Sequence, residues 1–167
     1  GFTKQILRDA GIPTPAFVVV DTAAHIDTIS LPFPLFAKPV AEGTGKGITA
    51  LSKITSRKNL RAVCLNLLKT FRQPVLVETY LPGREFTVGI LGTGKDARAL
   101  GVLEVILKPE AEKNAYSYEN KEHYDKLVDY VLVDDPEARK AADISLMAWR
   151  ALDLRDAGRV DLRSNTY

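Results

Sequence analysis

An amphipathic helix enclosed by two short apolar strands is the strongest structural signal in this sequence. From Ser56 to Phe71, apolar side chains recur at spacings of three and four residues, which puts them on one helical face. Pro74 ends this helix. Leu35 to Pro39 before it and Val75 to Thr79 after it are apolar runs of strand length. This part of the chain therefore predicts a mixed helix-and-strand unit.

The segment before these strands predicts two further helices and one strand. Thr3 is placed to cap a short helix from Lys4 to Ala10, which Gly11 ends. Ala16 to Val20 is a predicted strand, and either Asp21 or Thr22 can cap the second short helix that follows. Ile48 to Leu51 is expected to lead away from a glycine-rich turn that follows Pro39.

The second half of the chain predicts a hairpin, a helix and a final strand. Arg84 to Leu91 and Arg98 to Lys108 are rich in Val, Ile and Leu, with glycines between them, which favours an antiparallel pair. A polar segment follows from Pro109 to Lys126. Asp135 then caps a helix that runs to about Leu152, and Gly158 to Arg163 is the last strand.

This element order predicts an α+β fold of two lobes, residues 1–78 and 79–167, rather than a doubly wound sheet. The net charge of +2 on 167 residues gives no reason to expect a nucleic-acid or membrane partner. The only cysteine, Cys64, fits a reducing cytoplasm, and no apolar run is long enough to span a bilayer. Gly1 and Tyr167 both look like cuts, so we expect a fragment of a longer protein.

The run F-A-K-P-V-A-E-G-T-G-K-G at residues 36–47 suits a phosphate site. Lys38 supplies positive charge, while glycines let backbone N–H groups approach anionic oxygens. The run is not a P-loop, because Val40 stands where a glycine is required, and Ile48 rules out a dinucleotide fingerprint. A mobile hairpin with solvated lysines remains the alternative.

Charged residues later in the chain are candidates for the other parts of a nucleotide site. Glu78 and Glu85 bracket a strand crossover that can present backbone groups to adenine and a carboxylate to ribose. Lys121, in the polar segment, can fold over a phosphate. Arg159 and Asp161 share one face of the last strand, which suits an anionic transition state and a hard cation. Surface glutamates, a solvated loop and an ordinary salt bridge are the respective alternatives.

The ordered set of these motifs resembles the D-alanine–D-alanine ligase family of the ATP-grasp superfamily. The resemblance runs from about Thr3 to Asp161, and V-L-V-E-T-Y-L-P-G-R-E-F-T-V and R-V-D are its most specific parts. It implies that Lys4 and Lys38 contact the ATP phosphates, that Thr44 supplies a loop hydroxyl, and that Lys121 is a loop lysine over the triphosphate. It also implies that Glu78, Thr79, Tyr80 and Leu81 form the segment that meets adenine, and that Glu85 binds ribose. It implies Arg159 as the catalytic arginine and Asp161 as the first magnesium ligand.

The resemblance also implies a fold and a reaction. The expected fold is ATP-grasp, with a nucleotide cleft between the two lobes. The expected activity is ATP- and Mg²⁺-dependent carboxylate–amine ligation through an acyl phosphate, with ATP and a small amino acid as ligands, in cytoplasmic peptidoglycan synthesis. A homodimer of the full-length protein stays open. The fragment itself is expected to be inactive, because further magnesium ligands lie beyond Tyr167.

Departures from the family pattern leave the substrate open. The turn reads G-T-G-K-G where the typical ligase has G-S-S-V-G, so Thr44 can replace one serine but Gly45 cannot replace the other, and Lys46 adds charge. Glu122 stands where many relatives carry a tyrosine. The alternatives are an ATP-grasp ligase for another amino acid or a peptide, and a non-catalytic nucleotide-binding module.

Overall fold

A computed structural model describes residues 1–43, 45–108 and 128–165. Its elements in chain order are α1 (Phe2–Asp9), β1 (Phe17–Val20), α2 (Ala23–Asp27), β2 (Leu35–Pro39), β3 (Lys53–Ile54), α3 (Arg57–Phe71), β4 (Val75–Thr79), β5 (Glu85–Leu91), β6 (Arg98–Leu107), β7 (Val128–Val133), α4 (Pro136–Ala151) and β8 (Ala157–Arg163). Short 3-10 helices cover Ala50–Ser52 and Gly94–Asp96. Within the described ranges no helix has the length and apolar character that crossing a membrane requires.

The described residues fall into two compact units. The first contains Gly1, Pro15–Tyr80 and the described part of Leu107–Val128; the second contains Phe2–Thr14, Leu81–Ile106 and the described part of Asp129–Tyr167. The predicted lobe boundary between residues 78 and 79 stays a prediction.

The first unit is a four-stranded sheet with α2 and α3 packed on one face. The strand order is β1-β4-β2-β3, and β1 with β4, β4 with β2 and β2 with β3 pair antiparallel. Because side chains alternate along a strand, Leu35 and Ala37 enter the core on the helix side, with Leu60 and Cys64 of α3 packed against them. Phe36 and Lys38 therefore lie on the opposite, helix-free face.

The second unit repeats this plan with a different sheet. Its strand order is β7-β6-β5-β8, and α4 covers one face. Phe86, Val88 and Ile90 of β5 pack with Trp149 of α4 in the core. The Trp149 indole N–H donates to the Gly92 carbonyl oxygen at 3.1 Å, which ties the helix to the end of β5. The alternate residues of β5 and β8 consequently occupy a helix-free face.

Most of the predicted elements are confirmed, including the helix caps. Thr22, Ser56 and Asp135 accept hydrogen bonds from the first turns of α2, α3 and α4. The antiparallel pairing of β5 with β6 is also confirmed. Gly11, at φ 69°, ends α1 as expected.

Three details of the predicted elements are wrong. Thr3 does not cap α1, because the helix already begins at Phe2. Residues 48–51 do not lead from the glycine-rich turn directly into a strand; a 3-10 helix capped by Thr49 comes first, and the strand is Lys53–Ile54. Strand β7 was not predicted, because it directly follows the polar segment and its alternation is weak.

Candidate functional site

The helix-free face of the first sheet holds an ion pair whose carboxylate is buried. Lys38 and Glu78 lie on β2 and β4, where Phe36 is the residue opposite Glu78. The Lys38 ammonium lies 3.0 Å from Glu78 Oε1, and the Glu78 side chain is only 10% exposed. A lysine held this way keeps its charge at a fixed point, while 34% of its side chain stays accessible to a ligand.

Aromatic side chains surround this ion pair. The Tyr80 ring, which is buried, lies 6.4 Å from the Phe36 ring between centroids. The Lys53 ammonium lies 4.4 Å above the Tyr80 ring, within cation–π range. This face therefore combines positive charge with flat apolar surface.

The backbone after β4 has already used two of its donors. The N–H of Thr79 donates to Ala16 O and the N–H of Tyr80 donates to Pro34 O, each at 3.0 Å. The N–H of Leu81 makes no hydrogen bond with the residues that the structure describes. In the segment predicted to meet adenine, Leu81 is thus the residue with an available N–H donor.

The helix-free face of the second sheet carries a row of charged cross-strand pairs. Strands β5 and β8 are antiparallel, with Glu85 opposite Arg163, Thr87 opposite Asp161, and Gly89 opposite Arg159. Arg163 Nη1 lies 3.3 Å from Glu85 Oε2. The absence of a side chain at Gly89 leaves space beside Arg159, which is largely exposed.

The Asp161 carboxylate in this row is oriented by a hydrogen bond and an ion pair on the same oxygen. The Thr87 hydroxyl lies 2.5 Å from Oδ1, and Arg159 Nε lies 3.1 Å from the same atom. Oδ2 has no hydrogen-bond partner among the described residues. An exposed carboxylate with one oxygen fixed and the other available fits a single ligand of Mg²⁺. The described ranges contain no cluster of three His, Cys, Asp or Glu side chains that could hold a metal by itself.

On the helix side of the same sheet, an arginine network fixes the start of β5. Arg84, directly before Glu85, donates to the carboxylates of Glu104, Asp135 and Glu137 at 2.6–3.1 Å. The hydrogen bond from Arg84, followed by that from the Ala138 N–H, lowers the pKa of Asp135 to about 2. Hydrogen bonds to Glu104 and then Asp135 raise the pKa of the Arg84 guanidinium further above its ordinary value. The network secures the strand that presents Glu85.

Comparison with known proteins identifies the family. The family described as "D-ala D-ala ligase C-terminus" matches residues 6–166. The chain belongs to this family. D-alanine–D-alanine ligase of Bordetella petrii (strain ATCC BAA-461 / DSM 12804 / CCUG 43448) is 37% identical over 163 residues, which are 95% of this chain and 48% of that protein. The chain thus spans about half the length of the curated relatives it matches.

Solved structures establish the fold. VanG D-Ala:D-Ser ligase from Enterococcus faecalis superposes with a TM-score of 0.72 at 22% identity, covering 96% of this chain and 46% of that one. D-alanine–D-alanine ligase from Bacillus anthracis complexed with ATP gives a TM-score of 0.69 at 22% identity, with coverages of 96% and 48%. The fold is therefore the α+β ATP-grasp fold, as predicted.

The structure groups the site residues predicted from the D-alanine–D-alanine ligase resemblance within each unit. Lys38, Glu78 and Tyr80 lie together in the first unit, and Glu85, Arg159 and Asp161 share one sheet face in the second. Lys4 lies on α1, with its ammonium 2.9 Å from Thr14 Oγ1. Thr44 and Lys121 lie outside the described residues. The roles of all these residues, and their convergence on one nucleotide, stay predictions.

Contacts identify three further residues that the motif comparison did not single out. Thr87 and Arg163 touch Asp161 and Glu85, and Lys53 lies over Tyr80. The strand period of two would have placed Arg163 on the face of Arg159 and Asp161. The Lys53–Tyr80 contact joins two strands that are not neighbours in the sheet, so no local pattern in the sequence indicates it.

Proposed function

We propose that the protein containing this chain is an ATP-dependent carboxylate–amine ligase of the D-alanine–D-alanine type, which works through an acyl phosphate. Family membership supports the reaction class. The observation that carries the proposal is the register of β5 against β8, which puts Glu85, Asp161 and Arg159 on one helix-free face. We assign ribose binding to Glu85, cation binding to Asp161 and charge stabilisation to Arg159, and their shared face supports this assignment.

In this proposal Lys38 of the first unit and the segment that follows β4 bind the phosphates and adenine of ATP. Lys38 contacts phosphate oxygens, and its ion pair with Glu78 keeps the ammonium in place. The Leu81 N–H donates to an adenine ring nitrogen, because the preceding two N–H groups are already hydrogen-bonded. The Lys53–Tyr80 contact fixes the backbone that carries this donor.

The proposed reaction has two steps. A carboxylate oxygen of the first amino acid attacks the γ-phosphorus of ATP, the bond to the bridging oxygen breaks, and ADP leaves. The amine nitrogen of the second amino acid then attacks the acyl carbon, the carbon–oxygen bond to phosphate breaks, and the amine loses a proton. Arg159 stabilises the negative charge on the acyl phosphate and on the tetrahedral intermediate.

Mg²⁺ is the cation that the donor chemistry of Asp161 fits. When bound with ATP it offsets charge on the transferring phosphoryl group. Asp161 would be one of its ligands, while Thr87 and Arg159 hold the carboxylate in one orientation.

A second candidate is an ATP-grasp ligase that joins a different amino acid or a short peptide. It is favoured by Gly45 and Lys46, which replace a hydroxyl and an apolar side chain of the typical turn. The similarity to the D-Ala:D-Ser ligase VanG supports the view that this fold accepts more than one second substrate.

The test is ADP formation by the full-length protein with ATP and Mg²⁺, with and without D-alanine, against a panel of amino acids and dipeptides. Stimulation by D-alanine supports the first proposal. Stimulation by another compound alone selects the second candidate. Tight ATP binding without turnover on any compound would identify a non-catalytic nucleotide-binding module and contradict both.

A further inference from the structure

Gln73 lies between α3 and β4, and its side chain is hydrogen-bonded to two residues of the glycine-rich turn that follows β2. Its side-chain Oε1 accepts a hydrogen bond from the Ala41 N–H at 2.6 Å. Its Nε2 donates to Glu42 Oε1 at 2.8 Å. One amide group thus binds a backbone donor and a side-chain acceptor on consecutive residues of the turn, 32 and 31 positions away in sequence.

The remaining contacts of the turn continue from this bridge. The second oxygen of Glu42 lies 3.6 Å from the Lys46 ammonium, across the turn. The Val40 N–H donates to the Pro74 carbonyl oxygen at 3.0 Å, directly beside Gln73. The entry of the turn is therefore attached to the start of β4 by one backbone and two side-chain hydrogen bonds.

The exit of the turn is also packed tightly. Gly47 has φ 81°, and a Cβ placed there would lie 2.7 Å from Pro39 Cγ and 2.9 Å from Phe71 Cζ. Glycine is required on both grounds. Since Phe71 ends the helix that precedes Gln73, both ends of the turn lie against the α3–β4 junction.

We propose that Gln73 is a positioning residue that holds the glycine-rich turn in the shape that receives the ATP phosphates. The proposal rests on the proposed function, because it takes the turn to be a phosphate site. Preorganised N–H groups bind an anion without first losing conformational freedom, so loosening the turn weakens phosphate binding. The two hydrogen bonds need a side chain that both accepts and donates, and the Gln73 amide does this from two separate atoms.

The test changes the amide to a carboxylate of the same size. In Q73E the new carboxylate still accepts from the Ala41 N–H but repels Glu42. We expect faster hydrogen exchange of the turn amides and a roughly tenfold higher Kd and KM for ATP, since a hydrogen bond to a charged group is lost. The KM for the amino acid and the melting temperature stay close to those of the wild type.

A double variant that exchanges the side chains of Gln73 and Glu42 should restore the lost hydrogen bond and, with it, ATP affinity. In the double variant Q73E/E42Q the amide donor lies on residue 42 and the acceptor on residue 73, so the hydrogen bond can re-form with its direction reversed. Turn exchange and ATP affinity should return to within about threefold of the wild type, a fraction of the single-variant loss. N66D, on the exposed side of α3, introduces the same chemical change and should alter neither.

Failure of the proposed function and failure of the proposed role of Gln73 give different results. If wild-type protein does not bind ATP, the proposed function fails, and hydrogen exchange still reports whether Gln73 holds the turn. If Q73E folds normally and leaves both turn exchange and ATP affinity unchanged, the positioning role of Gln73 is wrong. A loss in Q73E that Q73E/E42Q does not reverse would also overturn it.

Discussion

Glu78 and Glu85 lie seven positions apart in one continuous motif, yet they belong to different units and have different environments. Glu78 is nearly fully buried and paired with Lys38, among the aromatic rings of the first unit. Glu85 is partly exposed and begins a row of charged pairs on the second sheet. The motif is thus one sequence signal that builds two chemically distinct surfaces.

This difference suggests a division of labour between the units. A partly buried lysine beside flat aromatic side chains favours binding of a base and its phosphates. The exposed Arg159–Asp161 end of the row, with one available carboxylate oxygen, suits charge stabilisation during reaction. Substitution of Lys38 in the first unit should therefore affect ATP affinity, and substitution of Arg159 on the second sheet should affect turnover.

The largest effect is expected for Arg159→Met in the full-length protein. Methionine roughly keeps the length of the side chain but removes the positive charge that we propose stabilises the intermediate. We expect kcat to fall by roughly 10²–10³-fold, with the KM for ATP changed little. Steady-state ADP release at saturating ATP and D-alanine measures both.

Arg155→Met is the matched control, because Arg155 is exposed on the loop before β8 and pairs only with neighbouring Asp153 in the described part of the chain. It should leave kcat within about twofold, as surface changes of this kind usually do. If Arg159→Met instead raises the KM for ATP at constant kcat, the second sheet is a binding surface and the division of labour is wrong.

Lys38→Ala should have the next largest effect, on ATP binding. Loss of a charged contact to phosphate predicts a roughly 100-fold weaker affinity, measured by titration calorimetry. The substitution also leaves the Glu78 carboxylate buried without its lysine. A loss of stability must therefore be separated from a loss of binding.

The double variant Lys38→Ala/Glu78→Gln makes that separation. A neutral amide at position 78 removes the buried charge, so the melting temperature should recover while ATP affinity does not. Wild-type ATP affinity in Lys38→Ala would exclude Lys38 from the phosphate site.

The sequence was sufficient for the local elements and for much of the second sheet face. The 3.6-residue period of α3 and its Ser56 cap are local signals, and alternation along β8 correctly puts Arg159 and Asp161 on one face. These features depend on neighbours within a few residues. Periodicity and capping rules use only residues that are close in sequence, so they predict such features.

Long-range partners could not be predicted in this way. Gln73 contacts residues more than 30 positions away, and Thr87 reaches Asp161 across 74 positions. Such contacts are set by strand register, which depends on how whole elements pair. The two-residue strand β3 has too few residues to show a period at all.

Arg84→Met tests whether the units are also independent in stability. The substitution leaves Glu104, Asp135 and Glu137 without their shared partner, and we expect the second unit to lose about 2 kcal/mol. Trp149, the only tryptophan, lies in the second core, so its fluorescence follows unfolding of that unit. Cys64, the only cysteine, is buried in the first core, and its thiol labelling follows opening of the first.

Arg98→Met, at an exposed position of β6 in the same unit, is the control and should change neither probe. Independence predicts that Arg84→Met shifts the Trp149 transition while the rate of Cys64 labelling stays constant. Equal shifts in both probes would show that the two units unfold as one.

The smallest effect is expected on the stability of the second unit at low pH. It separates the stabilisation that comes from the charge of Asp135 from the stabilisation that comes from its role as a helix cap. The pKa of Asp135 is about 2 in the folded protein, below its usual value near 3.8. The unfolded chain therefore binds the proton first as the pH falls. The resulting stability is present above about pH 4 and is lost as the pH falls toward 2.

Asp135→Asn keeps a side-chain oxygen that caps α4 but cannot ionise. Between pH 2 and 4, the Trp149 unfolding transition should depend on pH less steeply in Asp135→Asn than in the wild type, by a fraction of one proton. An unchanged slope would assign the acid sensitivity of the second unit to other groups, with Asp134, whose pKa is lowered by Arg139, as the first to examine.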